Sequence, residues 1–86
     1  MKQGRLIQMN AILKYDLSNS QVLKYIEEYT KDERERNLLK DRIIKGALYE
    51  DLRCFYGYLS RNEYRKMKDV VYNFEKWLTR EVGKDG

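Results

Sequence analysis

The chain is poor in the side chains that enzymes use as nucleophiles and bases. It has 86 residues, no histidine and a single cysteine. Without an imidazole, no serine can be paired with the base that activates it in a Ser-His arrangement. Ser18, Ser20 and Ser60 all stand at or beside predicted helix starts, where a hydroxyl caps the backbone. We therefore expect a protein that is not an enzyme.

Cys54 and the carboxylates are the remaining candidates for chemistry. The thiolate of Cys54 would need a base or a cation to hold it, yet Cys54 lies between Arg53 and Phe55 on an apolar stripe, which favours a buried structural thiol. The spacing of a calcium loop begins at Asp16, but Gln21 takes the position that requires glycine. The glycines match no nucleotide-binding spacing. We expect no metal, no cofactor and no small-molecule substrate.

Eight tyrosines are the most unusual feature of the composition. Tyrosine is enriched at binding hot spots because it joins a rigid apolar ring to a hydrogen-bonding tip. The alternative is that half-buried tyrosines complete a small core. The tyrosines around the middle of the chain, with one acidic neighbour, form the predicted protein interface: Tyr49, Asp51, Tyr56, Tyr58 and Tyr64.

Asp51 and two glycines add to this region. Asp51 falls near the middle of an apolar stripe, where an unpaired charge is costly, so it either faces a partner or pairs internally with an arginine. Gly46 and Gly57 are eleven residues apart, which is three helical turns. They form a shallow groove for another helix, or one of them bends or ends the helix.

A basic helical face is the second candidate surface. The net charge is +4, and Arg65, Lys68, Lys76 and Arg80 lie opposite the apolar face of the last predicted helix. Such a face can bind the phosphates of nucleic acid, or, because Asp69 and Glu75 interrupt it, it can be an ordinary solvated face. A helix-turn-helix with Gly57 in the turn does not fit, because Glu63 would occupy an apolar position.

Two capping boxes predict where helices begin. Ser18 with Gln21 predicts a start near residue 19, and Ser60 with Glu63 predicts a start near residue 61. Thr30 begins a weaker box, which indicates either a short break or an exposed continuous turn. No segment alternates with the period of a strand.

Apolar residues at helical spacing complete the predicted fold. Residues 38–59 are expected to form the central, most buried helix, and the last helix is expected at the surface, ending at Gly83. The N-terminal segment 1–17 carries Leu6, Met9 and Leu13 at helical spacing, and 83–86 is a frayed tail. The fold class is all-α, a small bundle of three to four helices in one domain, 1–86. The apolar stripe of the predicted central helix is Ile44, Leu48, Leu52, Phe55 and Leu59. The apolar face of the last predicted helix is Tyr64, Met67, Val70, Val71, Phe74, Trp77, Leu78 and Val82.

These observations favour a small helical protein that acts stoichiometrically, as a regulator, adaptor or inhibitor, by binding another protein or itself as a homodimer. The alternative is a nucleic-acid-binding or accessory regulatory protein that uses the basic face. A structural subunit of a larger particle is a third hypothesis. With one cysteine and no apolar span, we expect a cytoplasmic protein without membrane contact. The length and composition are typical of small proteins encoded by phages and mobile elements.

Overall fold

Helices joined by short turns make up the part of the chain that the structure describes. The structure is a computed structural model in which residues 10–85 are described, and no strand occurs among them. The predicted all-α bundle is confirmed. Leu6 and Met9 lie outside the described residues. The helices are α1 (Asn10–Tyr15), α2 (Asn19–Tyr29), α3 (Glu33–Leu39, continued by the π-helical turn Lys40–Ile44), α4 (Tyr49–Tyr56) and α5 (Arg61–Asp85).

Both strong capping boxes are present. The Ser18 amide donates to Gln21 Oε1 at 2.8 Å, and the Gln21 amide donates back to Ser18 Oγ at 3.2 Å. In the second box the Ser60 amide donates to Glu63 Oε1 at 3.3 Å, and the Glu63 amide donates back to Ser60 Oγ at 3.1 Å. Two backbone amides at each helix start are therefore satisfied locally, which is why these starts could be predicted.

The weaker start near Thr30 is a break, and a different residue caps the helix that follows. Asp32 Oδ1 accepts hydrogen bonds from the amides of Arg34 and Glu35, so it is the N-cap of α3. Thr30 Oγ1 instead accepts from the Asp32 amide at 3.1 Å and donates to Glu35 Oε1 at 3.0 Å. The hydroxyl closes the turn between α2 and α3.

The predicted central helix over residues 38–59 is wrong as a single element. Gly46 has φ 75° and Gly57 has φ 79°, and this left-handed backbone suits glycine and ends both helical segments. The two glycines therefore do not form a groove on one helix. Among the stripe residues, Leu52 is buried, whereas Leu48 and Phe55 are exposed. The stripe that looked continuous in sequence is divided between the core and solvent.

The last helix, α5, packs one face against each of the other helices and leaves the opposite face exposed, which agrees with its predicted place at the surface of the fold. It also continues through Gly83 to Asp85 instead of ending at Gly83. Its predicted apolar face is confirmed as the core, with five buried side chains along its length: Met67, Val71, Phe74, Leu78 and Val82.

Two apolar clusters share this helix. In the first half of α5, Met67 packs with Leu38 of α3 and Leu52 of α4. In the second half, Phe74 and Leu78 pack with buried side chains of α1 and α2. The described residues span only 19 Å in their smallest dimension, which is about two helix diameters. A two-layer arrangement of this thickness leaves α4 with one face toward solvent.

Candidate functional site

Helix α4 is held in place by arginines that donate hydrogen bonds to backbone carbonyls at and beyond its two ends. Arg42, from the π-helical turn, donates to the carbonyl of Ala47 at 2.8 Å, and its guanidinium carbon lies 3.8 Å from the ring centroid of Tyr49. One side chain thus satisfies a loop carbonyl and stacks on the first residue of α4. A planar guanidinium can do both at once.

At the C-terminal end of α4, two arginines each donate to a backbone carbonyl and lie over a tyrosine ring. Arg53 donates to the Leu59 carbonyl at 2.7 Å and lies 4.5 Å from the Tyr64 ring centroid. Arg34, reaching across from α3, donates to the Tyr56 carbonyl, and its guanidinium carbon lies 4.4 Å from the centroid of Tyr58. We call Arg34, Arg42 and Arg53 the arginine clamps.

The hydroxyl groups of two tyrosines bind carboxylates of neighbouring elements. Tyr56 donates to Asp41 Oδ2 at 2.7 Å, which ties the end of α4 to the π-helical turn. Burial raises the pKa of Tyr56 to about 12, and the hydrogen bond to the Asp41 carboxylate contributes to this shift. Tyr64 of α5 donates to Glu50 Oε2 at 3.1 Å. These bonds connect α4 to its neighbours on both sides.

The structure brings the predicted interface tyrosines together around α4, and it shows that each of them already contacts side chains of the same protein. The rings or hydroxyls of Tyr49, Tyr56, Tyr58 and Tyr64 all contact arginines or carboxylates of the same chain, and all four are half-buried. Their part in an interface stays a prediction. Their visible contacts position α4.

The exposed face of α4 carries apolar side chains. Phe55 of α4 is 78% exposed, and Leu48, the N-cap residue immediately before α4, is 59% exposed. Asp51 lies between them in the sequence, one helical turn before Phe55 and on the same side of the helix. We call Leu48, Asp51 and Phe55 the α4 face. The ring of Phe55 rests edge-on against Tyr56, with centroids 4.9 Å apart, so its orientation depends on a clamped residue. Leu59, which follows α4, is also 64% exposed.

The structure corrects two predictions about this region. Asp51 is exposed, so its carboxylate needs no internal ion pair, and that carboxylate makes no hydrogen bond or salt bridge with any residue that the structure describes. Cys54 is exposed rather than buried, because the rotation of α4 turns it toward solvent. No base or cation among the described residues contacts its thiol. The apolar spacing also predicted Leu48 and Phe55 on a buried stripe, and the structure shows both at the surface.

The basic residues predicted on the last helix lie together on the exposed side of α5. Arg65, Lys68, Lys76 and Arg80 are all exposed, and Arg61 extends the row by one turn. We call these five residues the basic stripe. Two residues that sequence reasoning missed, Tyr72 and Arg61, belong to this surface. The four-residue spacing of Tyr72 from both Lys68 and Lys76 was the available signal.

A groove between α2 and the end of α5 carries no cluster of like charges or metal-binding side chains among the described residues that line it. Its volume is about 370 Å³, and its walls mix both charges. Lys84 there is paired with Glu81 at 3.2 Å. Among residues 10–85, no three metal-binding side chains lie together, and no described helix is long and apolar enough to cross a membrane. The groove is lined by Gln21, Lys24, Tyr25, Glu28, Glu81 and Lys84.

Comparison with known proteins finds no matching family model, no matching curated protein and no matching solved structure. The two surfaces are therefore interpreted from their own geometry and charge.

Proposed function

We propose that the protein is a non-enzymatic binding module that docks the α4 face on an apolar cleft of a partner protein. The observation that carries the proposal is the exposure of Phe55, at 78%, on a helix whose two ends are both fixed by arginine clamps. A large apolar side chain on a fixed backbone loses little freedom when it binds. Such residues are typical anchors of protein interfaces.

The energies support an anchor of this kind. Burying a phenylalanine or leucine side chain stabilises a complex by about 1.5–3 kcal/mol. Phe55 and Leu48 lie two helical turns apart, or about 10 Å, so one cleft can receive both. Helices that bind in grooves present anchors at this i and i+7 spacing.

Asp51 indicates the charge of the partner. Its carboxylate lies between the two apolar anchors and has no partner among the described residues. A carboxylate at the centre of an apolar contact is costly unless it meets a cation. We expect the partner to present a lysine or arginine beside its apolar cleft.

The test is affinity capture from the native cell after nuclease treatment, with two matched variants. Phe55→Ala removes the anchor, and Tyr72→Ala removes an exposed aromatic ring from a different surface. The partner should be retained by the wild type and by Tyr72→Ala, and should be lost with Phe55→Ala. Identical captured proteins for all three chains would rule out the α4 face.

The partner that receives the α4 face can also be a second copy of the same chain, which would make the protein a homodimer. Sedimentation equilibrium of the purified chain distinguishes the two forms. A dimer that Phe55→Ala converts to monomer assigns the face to self-association, whereas a wild-type monomer assigns it to a different protein.

A further inference from the structure

The arginines of the described chain divide into two groups. Those of α3, the π-helical turn and α4 donate to backbone carbonyls; Arg36, for example, donates to the Thr30 carbonyl at 2.7 Å and to the Glu27 carbonyl at 2.9 Å. The arginines of α5 do not follow this pattern. No described residue forms a hydrogen bond or a salt bridge with the guanidinium groups of Arg61, Arg65 and Arg80.

The free arginines and two lysines are aligned along one side of α5. The spacings of three or four residues between successive polar positions keep them on a single face. From the first cation to the last the stripe is about 28 Å long, at 1.5 Å per residue. Asp69 and Glu75, three residues before and after Tyr72, are the carboxylates beside it, so the stripe has five cations against two anions. A row of cations of this length matches a chain of phosphates.

Tyr72 lies within the row of cations. Its side chain is 58% exposed, and Lys76 Nζ lies 5.4 Å from its ring centroid. Lys68 and Lys76 are one helical turn before and after it, about 6 Å away along the axis. A base stacked on this ring would have its neighbouring phosphates next to the two lysines. Aromatic rings between cations are typical of surfaces that bind single-stranded nucleic acid.

We propose that the basic stripe binds single-stranded nucleic acid, with one base stacked on Tyr72 and the phosphates on the flanking cations. A single strand is favoured over a duplex because a base must be unstacked before it can lie on the tyrosine ring. This surface is separate from the α4 face. The chain thus has one surface for a protein and one for nucleic acid.

The first test measures binding of a fluorescein-labelled thymidine oligonucleotide, about 20 nucleotides long, by anisotropy as a function of salt. For single strands the slope of log K against log salt is about −0.7 per phosphate contact. Replacing Arg65 and Arg80 by Ala should reduce the magnitude of the slope by about 1.4. The charge-matched variant Lys24→Ala with Lys31→Ala lies off the stripe and should leave the slope unchanged. Equal losses in both variants would show a response to net charge alone and overturn the proposal.

The second test separates stacking from charge. Tyr72→Ala should weaken binding at least about fivefold, whereas Tyr72→Phe, which keeps the ring, should bind like the wild type. Phe55→Ala should also bind like the wild type. No binding of the oligonucleotide at low salt, unchanged binding by Tyr72→Ala, or tighter binding of the matching duplex than of the single strand would each overturn the proposal. Because every substituted residue is exposed, all variants are expected to fold, and circular dichroism checks this.

Discussion

Helix α4 and the outer face of α5 use the same residue types in opposite ways. Around α4 the arginines are engaged with carbonyls and tyrosine rings, and the apolar side chains Leu48 and Phe55 are exposed. On α5 the apolar side chains of the core face are buried, Tyr72 is exposed on the opposite side, and the arginines are free. The difference follows from position. The clamping arginines lie beside the connections before and after α4, whose Ala47 and Leu59 carbonyls accept from them, whereas Arg65 and Arg80 lie inside a long helix whose carbonyls bond to its own amides.

The two phenylalanines of the chain give the largest contrast between these regions. Phe74 is fully buried in the core face of α5, and Phe55 is largely exposed on α4. Phe74→Ala should lower the free energy of unfolding by about 3–5 kcal/mol because it leaves a cavity. Phe55→Ala should change it by less than about 0.5 kcal/mol. Urea denaturation followed by circular dichroism measures both, and similar losses for the two would mean that α4 belongs to the core.

The arginines provide the next contrast. Arg42→Ala removes a charged donor from the Ala47 carbonyl and the cation from the Tyr49 ring, and should cost about 1–3 kcal/mol of stability. Arg65→Ala, on the basic stripe, should cost less than about 0.5 kcal/mol. Arg42→Lys should restore little, because an ammonium group cannot stack and donate in the same geometry. Equal stability of the two alanine variants in urea would remove the distinction between clamping and free arginines.

Replacing either of two glycines by alanine should change the free energy of unfolding, with opposite sign at the two positions. Gly57 ends α4 with φ 79° in open space, so Gly57→Ala should destabilise the protein by about 1 kcal/mol through backbone strain alone. Gly83 lies within α5, and an added Cβ would stand 3.9 Å from Tyr15 Oη, an ordinary contact. Gly83→Ala should therefore raise the free energy of unfolding by about 0.5–1 kcal/mol. A thermal melt of each variant gives the sign, and a stabilising Gly57→Ala would disprove the left-handed end of α4.

The smallest expected effect is a pH dependence at the tyrosine that ties α4 to the π-helical turn. The pKa of Tyr56 is raised from 10.0 to about 12 in the folded protein, mainly by burial, so folding favours its neutral form. The stability that this shift contributes is present in full below about pH 10 and is lost as pH rises through about 12. The difference in free energy of unfolding between wild type and Tyr56→Phe should shrink over that interval. A constant difference would show that folding does not raise the pKa of Tyr56.

The features that could be predicted from sequence are those set by near neighbours. The capping boxes at Ser18 and Ser60 involve residues three apart, and the apolar face of α5 follows from one regular helix. The exposure of Cys54 and Phe55 could not be predicted in the same way. It depends on how α4 is rotated against the rest of the fold, and contacts between residues distant in sequence, such as the hydrogen bond from Arg34 to the Tyr56 carbonyl 22 positions away, hold α4 in place.

The two faces of α5 could be predicted, because the spacing of apolar and basic residues along one regular helix determines both. The packing of all the other helices on α5 could not be predicted, because it depends on contacts between elements distant in sequence. The predicted central helix over residues 38–59 is wrong because the left-handed backbone at Gly46 and Gly57 ends the helical segments there.

Amide hydrogen exchange in α4 tests most directly whether its exposed anchors are fixed in place. An isolated helix of eight residues is marginal in water, so any protection of its amides must come from the surrounding contacts. We predict that the amides of Arg53 and Tyr56 exchange slowly in the wild type and much faster in Arg42→Ala. Exchange at the rate of an unstructured peptide in the wild type would contradict the account.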